Sequence, residues 1–396
     1  MKISETILVE KEKRSFFQTY NRFPFVPKEA SAHLIWDEDG TCYFDFISGL
    51  GVNLFGHCHP KINEAIKLQI DKFSHLSNYF YQEPQINFVV KLKEMTGMDR
   101  VFLANSGTEA NEGATKLCRK WGNYINKTEI IAFTGGFHGR TYGSLSLMNQ
   151  EKYKKNMGPW LSNINIIEYN NSEALESAVS EKTAGIILEF LQGEGGVIEA
   201  SEEFVATIER LREKYNFLII ADEIQTGAGR TGSFFSFDKY SITPDIVTIA
   251  KGIGGGLPLG AILAKEKLAK VWELGSHGTT CGGNALACAA GLVILKELEH
   301  GLIDISLAVG THFKKSLLDL KTKFPNKILE VRGRGLMLGL VLSFDANILV
   351  KSLFENYNII TNATSGNVLR LLPALIISRD DVDLFMDSLR ECLSSL

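Results

Sequence analysis

The sequence lacks paired cysteines, a basic block and any long apolar run, and each absence excludes a class of protein. Its six cysteines form no C-x-x-C pair, and the N-terminus has no apolar core of signal-peptide length, which argues against export and disulfide bonding. The net charge of −4 offers no electrostatic footprint for nucleic acid. No apolar run approaches the roughly 18 residues that a membrane span needs. We therefore expect a cytoplasmic protein without nucleic-acid or membrane partners.

The motifs of common nucleotide and metal sites are also missing. No G-x-x-x-x-G-K-[ST] occurs, and the glycines of 252–256 follow a lysine instead of preceding it. A strand-like run after Pro258, where a helix should follow, excludes a dinucleotide fingerprint as well. The adjacent residues His57, Cys58 and His59 cannot converge on one tetrahedral ion without further ligands, and no second Cys/His pair has a suitable spacing. We predict no metal site.

Short aliphatic runs alternate with amphipathic stretches between residues 100 and 264. Most of the runs are apolar throughout, which is typical of strands covered on both faces. Repeated strand–helix alternation predicts an α/β fold, with a mostly parallel sheet flanked by helices. The seven predicted strands are 101–104, 129–133, 164–169, 185–190, 217–221, 246–250 and 259–264.

The two ends of the chain have a different pattern. A chain of 396 residues exceeds one compact core, so a large domain with a smaller companion is expected. Residues 36–40 predict a hairpin, and the region beyond 290 predicts long helices, strands around 328–331, 336–342 and 368–372, and a terminal helix starting near Ser378. We predict a large domain over 51–290 and a smaller α+β domain formed by 291–396 together with 1–50.

Two charged residues end buried strands, where an unpaired charge is costly. Asp222 closes the run 217–221; it either caps the next element or pairs with a cationic ligand such as a pyridinium nitrogen, which a nearby carboxylate keeps protonated. Gln225 is then placed to reach a ring hydroxyl. Lys251 ends the run 246–250 and precedes a glycine turn; a desolvated lysine has a lowered pKa and becomes a nucleophile and base.

Two other strand ends carry small or glycine-rich turns. Ser106 with Glu109 forms a capping box, and the helix that it begins presents free N–H groups that suit a phosphate. Gly107 permits close backbone approach and the Thr108 hydroxyl can donate. After the next strand, Arg140 could clamp a carboxylate and Phe137 could stack on a planar ring, although an arginine in a loop is usually only solvated.

Taken together, these stretches resemble the class III aminotransferases, pyridoxal-phosphate enzymes of fold type I, and in particular their acetylornithine branch. The resemblance extends from residue 56 to residue 373. The pieces that carry it are Asn105-Ser-Gly-Thr-Glu-Ala-Asn111, Phe137-His-Gly-Arg-Thr141, Gln192-Gly-Glu-Gly-Gly196, Asp222-Glu-Ile-Gln-Thr-Gly227, Ala250-Lys-Gly252, His277-Gly-Thr-Thr280 and Val331-Arg-Gly-Arg-Gly335. Thr279, Ile224 and Asn284-Ala-Leu286 depart from the usual pattern and leave the choice of substrate open.

The resemblance implies a role for each matching residue. Lys251 matches the lysine that holds pyridoxal 5'-phosphate as a Schiff base and acts as the catalytic base. The matches for cofactor binding are Gly107, Thr108, Phe137, Asp222, Gln225 and Thr280, the last of which reaches the phosphate of a partner subunit and so implies a homodimer. The matches for substrate binding are Arg140, Glu194, Thr279 and Arg370. Of these, Glu194 and Arg370 match a switching pair, in which the glutamate covers the arginine with the donor bound and leaves it free with the dicarboxylate bound. His138 is expected to position the loop or face the substrate.

The function that the resemblance implies is ping-pong transamination. We expect the ω-amino group of N-acetylornithine to move to 2-oxoglutarate, giving N-acetylglutamate semialdehyde and glutamate in arginine biosynthesis. Ornithine, N-succinyl-diaminopimelate, succinylornithine and 4-aminobutyrate are rival donors. Rivals of another class are a non-catalytic pyridoxal-phosphate-binding protein and a nicotinamide oxidoreductase, and the second lacks its glycine fingerprint.

Overall fold

A computed structural model describes residues 3–396, and its strands form one large sheet, two four-stranded sheets and a two-stranded ribbon. The strands are β1 (Pro27–Ser31), β2 (Leu34–Asp37), β3 (Cys42–Asp45), β4 (Arg100–Ala104), β5 (Glu129–Phe133), β6 (Ile164–Ile167), β7 (Thr183–Leu188), β8 (Leu191–Gln192), β9 (Ile198–Glu199), β10 (Leu218–Asp222), β11 (Ile246–Ile249), β12 (Gly260–Ala264), β13 (Ile328–Arg334), β14 (Met337–Leu342), β15 (Ile359–Ile360), β16 (Asn362–Thr364) and β17 (Val368–Leu371).

Helices of very different length connect these strands. They are α1 (Ile3–Ser15), α2 (Ser48–Gly51), α3 (Pro60–Ile70), α4 (Glu83–Thr96), α5 (Gly107–Tyr124), α6 (Tyr142–Ser146), α7 (Glu151–Lys154), α8 (Ser172–Ala178), α9 (Glu202–Tyr215), α10 (Ala285–Glu297), α11 (Ile303–Lys323), α12 (Ala346–Tyr357) and α13 (Arg379–Ser395). Within residues 3–396, none of them combines the length and the apolarity that crossing a membrane requires.

The large sheet has seven strands in the order β4-β12-β11-β10-β7-β5-β6. All of its strands are parallel except β12, which runs antiparallel to both β11 and β4. The predicted mostly parallel α/β sheet is therefore confirmed. Each of the seven predicted strands is present, with ends that shift by at most two residues.

Both faces of this sheet are covered, which explains why its strands are apolar throughout. Successive side chains of a strand point to opposite faces. Accordingly Ile130 and Leu218 pack into the cluster that contains helix α5, whereas Ile131 and Ile219 pack into the cluster that contains helix α9. Ser201 caps α9 by accepting a hydrogen bond from the Phe204 amide, as its sequence pattern favours.

The two ends of the chain join in a smaller α+β part. Strands β2 and β3 form the predicted hairpin, whose turn is closed by Asp37 Oδ1 accepting from the amides of Asp39 and Thr41, both at 2.9 Å. Strand β3 then pairs in parallel with β15. The neighbouring sheet, in the order β13-β14-β17-β16, presents Arg370 from its strand β17. The terminal helix α13 begins after a capping box of Ser378 and Asp381, close to the predicted start.

Candidate active site

Loops that follow the parallel strands of the large sheet meet in one cavity of about 270 Å³. Because parallel strands place their carboxyl ends at one edge, residues far apart in sequence converge there. The lining residues are Gly107, Thr108, Phe137, His138, Gly139, Arg140, Glu189, Glu194, Asp222, Ile224, Gln225 and Lys251. Eight of the predicted site residues are among them, and Arg370 contacts two of the lining side chains.

Lys251 stands at the end of β11 in an unusual backbone conformation. Its φ of 50° lies in the left-handed region, which a residue with a side chain adopts at a cost of about 1–3 kcal/mol and mostly at functional sites. Burial, and then the positive charge of Arg370, lower the pKa of the Lys251 amine from 10.5 to about 8, against the opposing effect of nearby carboxylates. A substantial fraction of this amine is therefore neutral near pH 7–8 and able to act as a nucleophile or base.

Asp222 is the centre of a buried hydrogen-bond network. Its side chain is only 2% exposed, and its Oδ2 accepts from His138 Nδ1 at 2.7 Å and from Asn111 Nδ2 at 2.8 Å. The Thr248 hydroxyl donates to Asn111 Oδ1 and thereby fixes the amide orientation. Oδ1 accepts from the Ile224 amide and keeps a lone pair for a donor in the cavity. These donors offset the cost of burying the carboxylate.

His138 lies behind Asp222 as a positioning group. Burial by itself lowers the pKa of the imidazole, but the hydrogen bond and charge of Asp222, with a contribution from Glu189, raise the pKa above 6.5 overall. His138 Nδ1 thus binds Asp222 Oδ2, while Asp222 Oδ1 is the oxygen that keeps a lone pair for a donor in the cavity. His138 also lines the cavity, so both predicted roles, positioning the loop and facing the substrate, are compatible with its place in the site.

Glu189 is a site residue that the sequence reasoning missed. Its buried carboxylate accepts from the Phe137 amide at 2.8 Å and from the Gly193 amide at 3.2 Å, so that it links two loops of the cavity. Burial and then the charge of Asp222 raise its pKa. The predicted strand 185–190 contained this glutamate, whereas β7 ends at Leu188. The rule that singled out Asp222, an acid in an apolar run, would have identified Glu189 too.

Glu194 and Arg370 form the pair that the sequence predicted to lie together. Arg370 Nη1 donates to Glu194 Oε1 at 2.5 Å and to Gln225 Oε1 at 3.3 Å, and the arginine is 1% exposed. Burial opposes ionisation of Glu194, but the adjacent Arg370 outweighs it and lowers the pKa of the carboxyl. Glu194 is the more exposed partner of the pair, since 29% of its side chain is exposed against 1% of that of Arg370.

Arg140 differs from Arg370 in having no acid partner among the side chains of residues 7–396. Its guanidinium carbon lies 3.7 Å from the ring centroid of Tyr153 and 5.5 Å from that of Phe137. Arg140 is exposed and lines the cavity. Its N–H groups are therefore available for a carboxylate ligand.

The N-terminus of helix α5 forms the small-residue turn of the cavity. Ser106 caps the helix through the Glu109 amide, and a side chain at Gly107 would bring its Cβ to 2.6 Å from Ile224 Cγ2. The Thr108 hydroxyl lies 2.8 Å from that of Thr141. A glycine at the start of an 18-residue helix gives an anion direct access to backbone N–H groups.

Thr279 and Thr280 lie outside this cavity. Both line a separate, larger groove of about 1020 Å³, which also contains Tyr79 and Leu274. The Thr279 hydroxyl accepts from Asn105 Nδ2 at 3.3 Å, so its contact is with the protein itself. No contact joins Thr280 to the cavity within the described part of the chain.

These groups fit pyridoxal phosphate in four respects. Asp222 has a carboxylate lone pair that suits the ring nitrogen, and the desolvated amine of Lys251 suits the aldehyde. The helix N-terminus at Gly107 suits the phosphate, and the aromatic side chain of Phe137 lies in the same cavity lining. The mostly parallel sheet with this site at its carboxyl edge defines a fold type I pyridoxal-phosphate enzyme.

Comparison with known proteins identifies the family. The sequence model "Aminotransferase class-III" matches residues 16–393, so the chain belongs to the class III aminotransferases and is a pyridoxal-phosphate-dependent enzyme. It is 41% identical over 401 residues to an acetylornithine aminotransferase of Methanocaldococcus jannaschii, with 100% of each chain covered. An acetylornithine aminotransferase of Caldanaerobacter subterraneus is also 41% identical, with 98% of this chain and 100% of the relative covered.

A solved structure shares the fold over the whole length of this chain. The ornithine aminotransferase of Toxoplasma gondii has a TM-score of 0.95 and 30% identity, and the match covers 100% of this chain and 96% of that one. The similarity in structure therefore extends through the large sheet and both ends of the chain.

Proposed function

We propose that this enzyme transfers the ω-amino group of N-acetylornithine to 2-oxoglutarate, giving N-acetylglutamate semialdehyde and glutamate, as a step of arginine biosynthesis. The observation that carries the proposal is the Glu194–Arg370 pair at 2.5 Å beside Lys251, with Arg140 unpaired in the same cavity. Relatives at 41% identity over nearly the full length bear the name acetylornithine aminotransferase, which supports this donor.

Lys251 is the group that moves the proton. When bound, pyridoxal phosphate supplies an electron sink conjugated to the carbon that loses its proton. The Lys251 Nζ, with its pKa lowered to about 8, would accept a proton from the substrate carbon and release it again as the general base and acid of the site. Asp222, fixed by His138 and Asn111, holds the ring nitrogen protonated.

The two arginines explain how one pocket serves two substrates. N-acetylornithine places its distal amine at Lys251, and its single carboxylate binds Arg140. Glu194 then remains paired with Arg370 and neutralises the positive charge of that arginine. The dicarboxylate 2-oxoglutarate presents its keto carbon next to a carboxylate that needs Arg370. Glu194 moves away in that half-reaction, and Arg140 binds the distal carboxylate.

Steady-state kinetics with a panel of amine donors against 2-oxoglutarate tests the proposal. We expect N-acetylornithine to have a higher kcat/KM than succinylornithine, N-succinyl-diaminopimelate, ornithine and 4-aminobutyrate. The purified protein supplied with pyridoxal phosphate should show an imine absorption band that Lys251→Ala abolishes. Turnover that is highest with 4-aminobutyrate, or absent with every N-acylated donor, would contradict the choice of donor.

Free ornithine is the second candidate donor, because the Toxoplasma gondii ornithine aminotransferase matches the whole chain at a TM-score of 0.95. Ornithine carries a charged α-amino group where N-acetylornithine carries a neutral amide. A donor preference of ornithine over its acetylated form in the same assay would favour this reading and contradict the first.

We also propose that two copies of the chain assemble into a homodimer that shares its active sites. The support is the groove that contains Thr280 together with aromatic side chains left open to solvent, such as Tyr79 at 95% and Tyr81 at 99% exposure. Large apolar patches of this kind mark protein interfaces. Thr280 would then reach the cofactor phosphate of the partner. Sedimentation equilibrium should give twice the mass of one chain, and a monomer would contradict the proposal.

We place the enzyme in the cytoplasm. The support is that all six cysteines are free thiols, which is typical of a reducing compartment. Fractionation of cells that produce the protein tests this location, and recovery in an exported fraction would contradict it.

A further inference from the structure

We infer that Tyr153 is a positioning residue that fixes the orientation of Arg140 and thereby sets the selectivity of the site for dicarboxylate acceptors. The inference rests on the function proposed above, because its ligand is the acceptor of that reaction. The sequence motifs described above do not include Tyr153, which belongs to the short helix α7.

The Arg140 guanidinium lies next to two aromatic rings. The Tyr153 and Phe137 rings stand nearly perpendicular, at 85° with centroids 6.0 Å apart. The Arg140 guanidinium carbon lies 3.7 Å from the centroid of Tyr153, a stacking distance, and 5.5 Å from that of Phe137. A guanidinium that stacks on a ring keeps its N–H edge directed away from that ring.

It matters that an aromatic ring, and not hydrogen bonds, orients the Arg140 guanidinium, because hydrogen bonds within the protein would occupy N–H groups that the substrate needs. Arg370 is held by hydrogen bonds to Glu194, Gln225 and Asn362, and each of them occupies an N–H that a substrate would otherwise use. The Arg140 side chain has no hydrogen bond or ion pair with residues 7–396. The Tyr153 ring restricts the guanidinium without occupying any of its five donors. Arg140 is therefore oriented and also free to bind a carboxylate by two parallel bonds.

The position of α7 in the chain gives Tyr153 access to this role. Gln150, the residue before the helix, donates from its side chain to the Gly136 carbonyl at 3.0 Å. This bond ties the start of α7 to the loop that carries Phe137 and Arg140. The Lys152 ammonium lies 4.6 Å from the Tyr153 ring, so a second positive charge lies near the same ring. Both charges favour an approaching dicarboxylate.

The inference predicts a change in acceptor selectivity. Tyr153→Leu removes the ring, and loss of the cation–π contact should lower the ratio of kcat/KM for 2-oxoglutarate to kcat/KM for pyruvate by roughly 3- to 30-fold. Pyruvate has only the carboxylate next to its keto group and makes no use of Arg140. The loss should lie in the KM for 2-oxoglutarate and not in kcat. Tyr153→Phe keeps the ring and should recover most of the selectivity.

A binding measurement separates failure of this inference from failure of the proposed function. Glutarate has both carboxylates but no keto group, so its Kd for the holoenzyme can be measured by calorimetry without turnover. Weaker glutarate binding by Tyr153→Leu, with recovery in Tyr153→Phe, supports the inference even for an enzyme that prefers another donor. Equal Kd values for Tyr153→Leu and the wild type overturn it.

Matched variants exclude a general packing effect. Tyr215, at the end of α9, also contacts a cation, the Lys214 ammonium at 4.7 Å, and it is half-buried like Tyr153 but remote from the cavity. Tyr215→Leu should leave the acceptor ratio at the wild-type value. A fall of equal size for 2-oxoglutarate and pyruvate in Tyr153→Leu, or a Tyr153→Phe variant as impaired as Tyr153→Leu, would show that stacking on Arg140 is not what Tyr153 contributes.

Discussion

The cofactor end and the substrate end of the cavity are built on opposite principles. At the cofactor end, Asp222 is 2% exposed and accepts hydrogen bonds from His138 and Asn111. At the substrate end, Arg140 is exposed and has no acid partner among the side chains of residues 7–396, and the acid partner of Arg370 is the partly exposed Glu194.

The difference follows from what each end binds. The cofactor end retains one ligand through every turnover, so a rigid, fully satisfied network gives the best preorganisation. The substrate end must accept a monocarboxylate and a dicarboxylate in turn, which requires an arginine charge that can be covered and uncovered. Substitutions at the cofactor end should therefore affect chemistry and stability, and those at the substrate end should affect selectivity.

The largest effect is expected from Lys251→Ala. Loss of the amine that carries the proton should lower kcat by roughly 10²- to 10⁴-fold or more, since general base catalysis contributes that much. Steady-state assays with added pyridoxal phosphate measure it. Lys265 follows β12 at the opposite edge of the sheet, so Lys265→Ala should retain the wild-type kcat. Near-normal turnover by Lys251→Ala would contradict the expectation that the cofactor end of the cavity carries the chemistry.

Asp222→Ala tests the rigidity of the cofactor end. Removal of the carboxylate leaves His138 and Asn111 without their acceptor in a buried site, which should cost about 3 kcal/mol in the free energy of unfolding. Because Asp222 is what raises the pKa of His138, that pKa should also fall, and burial then favours the neutral ring. Urea unfolding and NMR titration of the imidazole measure the two effects. An unchanged His138 titration would show that the network is not coupled.

Glu194→Ala tests the substrate end. Arg370 would then remain uncovered in both half-reactions, and discrimination between N-acetylornithine and 2-oxoglutarate should fall roughly tenfold or more, as for loss of a hydrogen bond to a charged group. Single-turnover measurements of each half-reaction give the ratio. Unchanged rates with both substrate classes would contradict the switching role. The unfolding free energy should change less than in Asp222→Ala.

The smallest effect is expected from Glu189→Gln, and it concerns pH. The folded pKa of Glu189 is raised from 4.5 to about 7, so the folded state holds a proton that the unfolded state has released. Its contribution to stability is therefore full below pH 4.5 and is lost as the pH rises through about 7. In Glu189→Gln this part of the pH dependence should disappear from the unfolding free energy.

Glu223 provides the matched comparison for Glu189. Burial raises its pKa to about 7 as well, but it lies outside the cavity lining and accepts hydrogen bonds from Ser236 and Thr226. Glu223→Gln should remove a similar pH dependence of stability and leave the pH profile of kcat/KM intact. Glu189→Gln should change both, because its carboxylate links the loops of Phe137 and Gly193. Identical kinetic profiles for the two variants would refute this difference.

The sequence predicted the large sheet well because both of its faces are buried. Continuous apolar runs mark such strands, and their polar ends mark the site, as at Asp222 and Lys251. The largest shift has a local cause: the predicted run 185–190 includes Glu189, whose carboxylate accepts hydrogen bonds from the amides of two loops, and β7 ends before it at Leu188. Tyr153 had no signal at all, since its partner Arg140 is thirteen residues away in an irregular loop.

The sequence by itself determined the kinds of group in the site, because an acid or a lysine at the end of a buried strand needs a partner whatever surrounds it. It also determined the mostly parallel sheet that gathers those groups at one edge. Only the tertiary structure decided two other arrangements: Asp222 pairs with His138, and Arg140 has no acid partner among the side chains that the structure describes. Pairing depends on distances of a few ångströms between loops from different strands, and no periodicity along the chain encodes those distances.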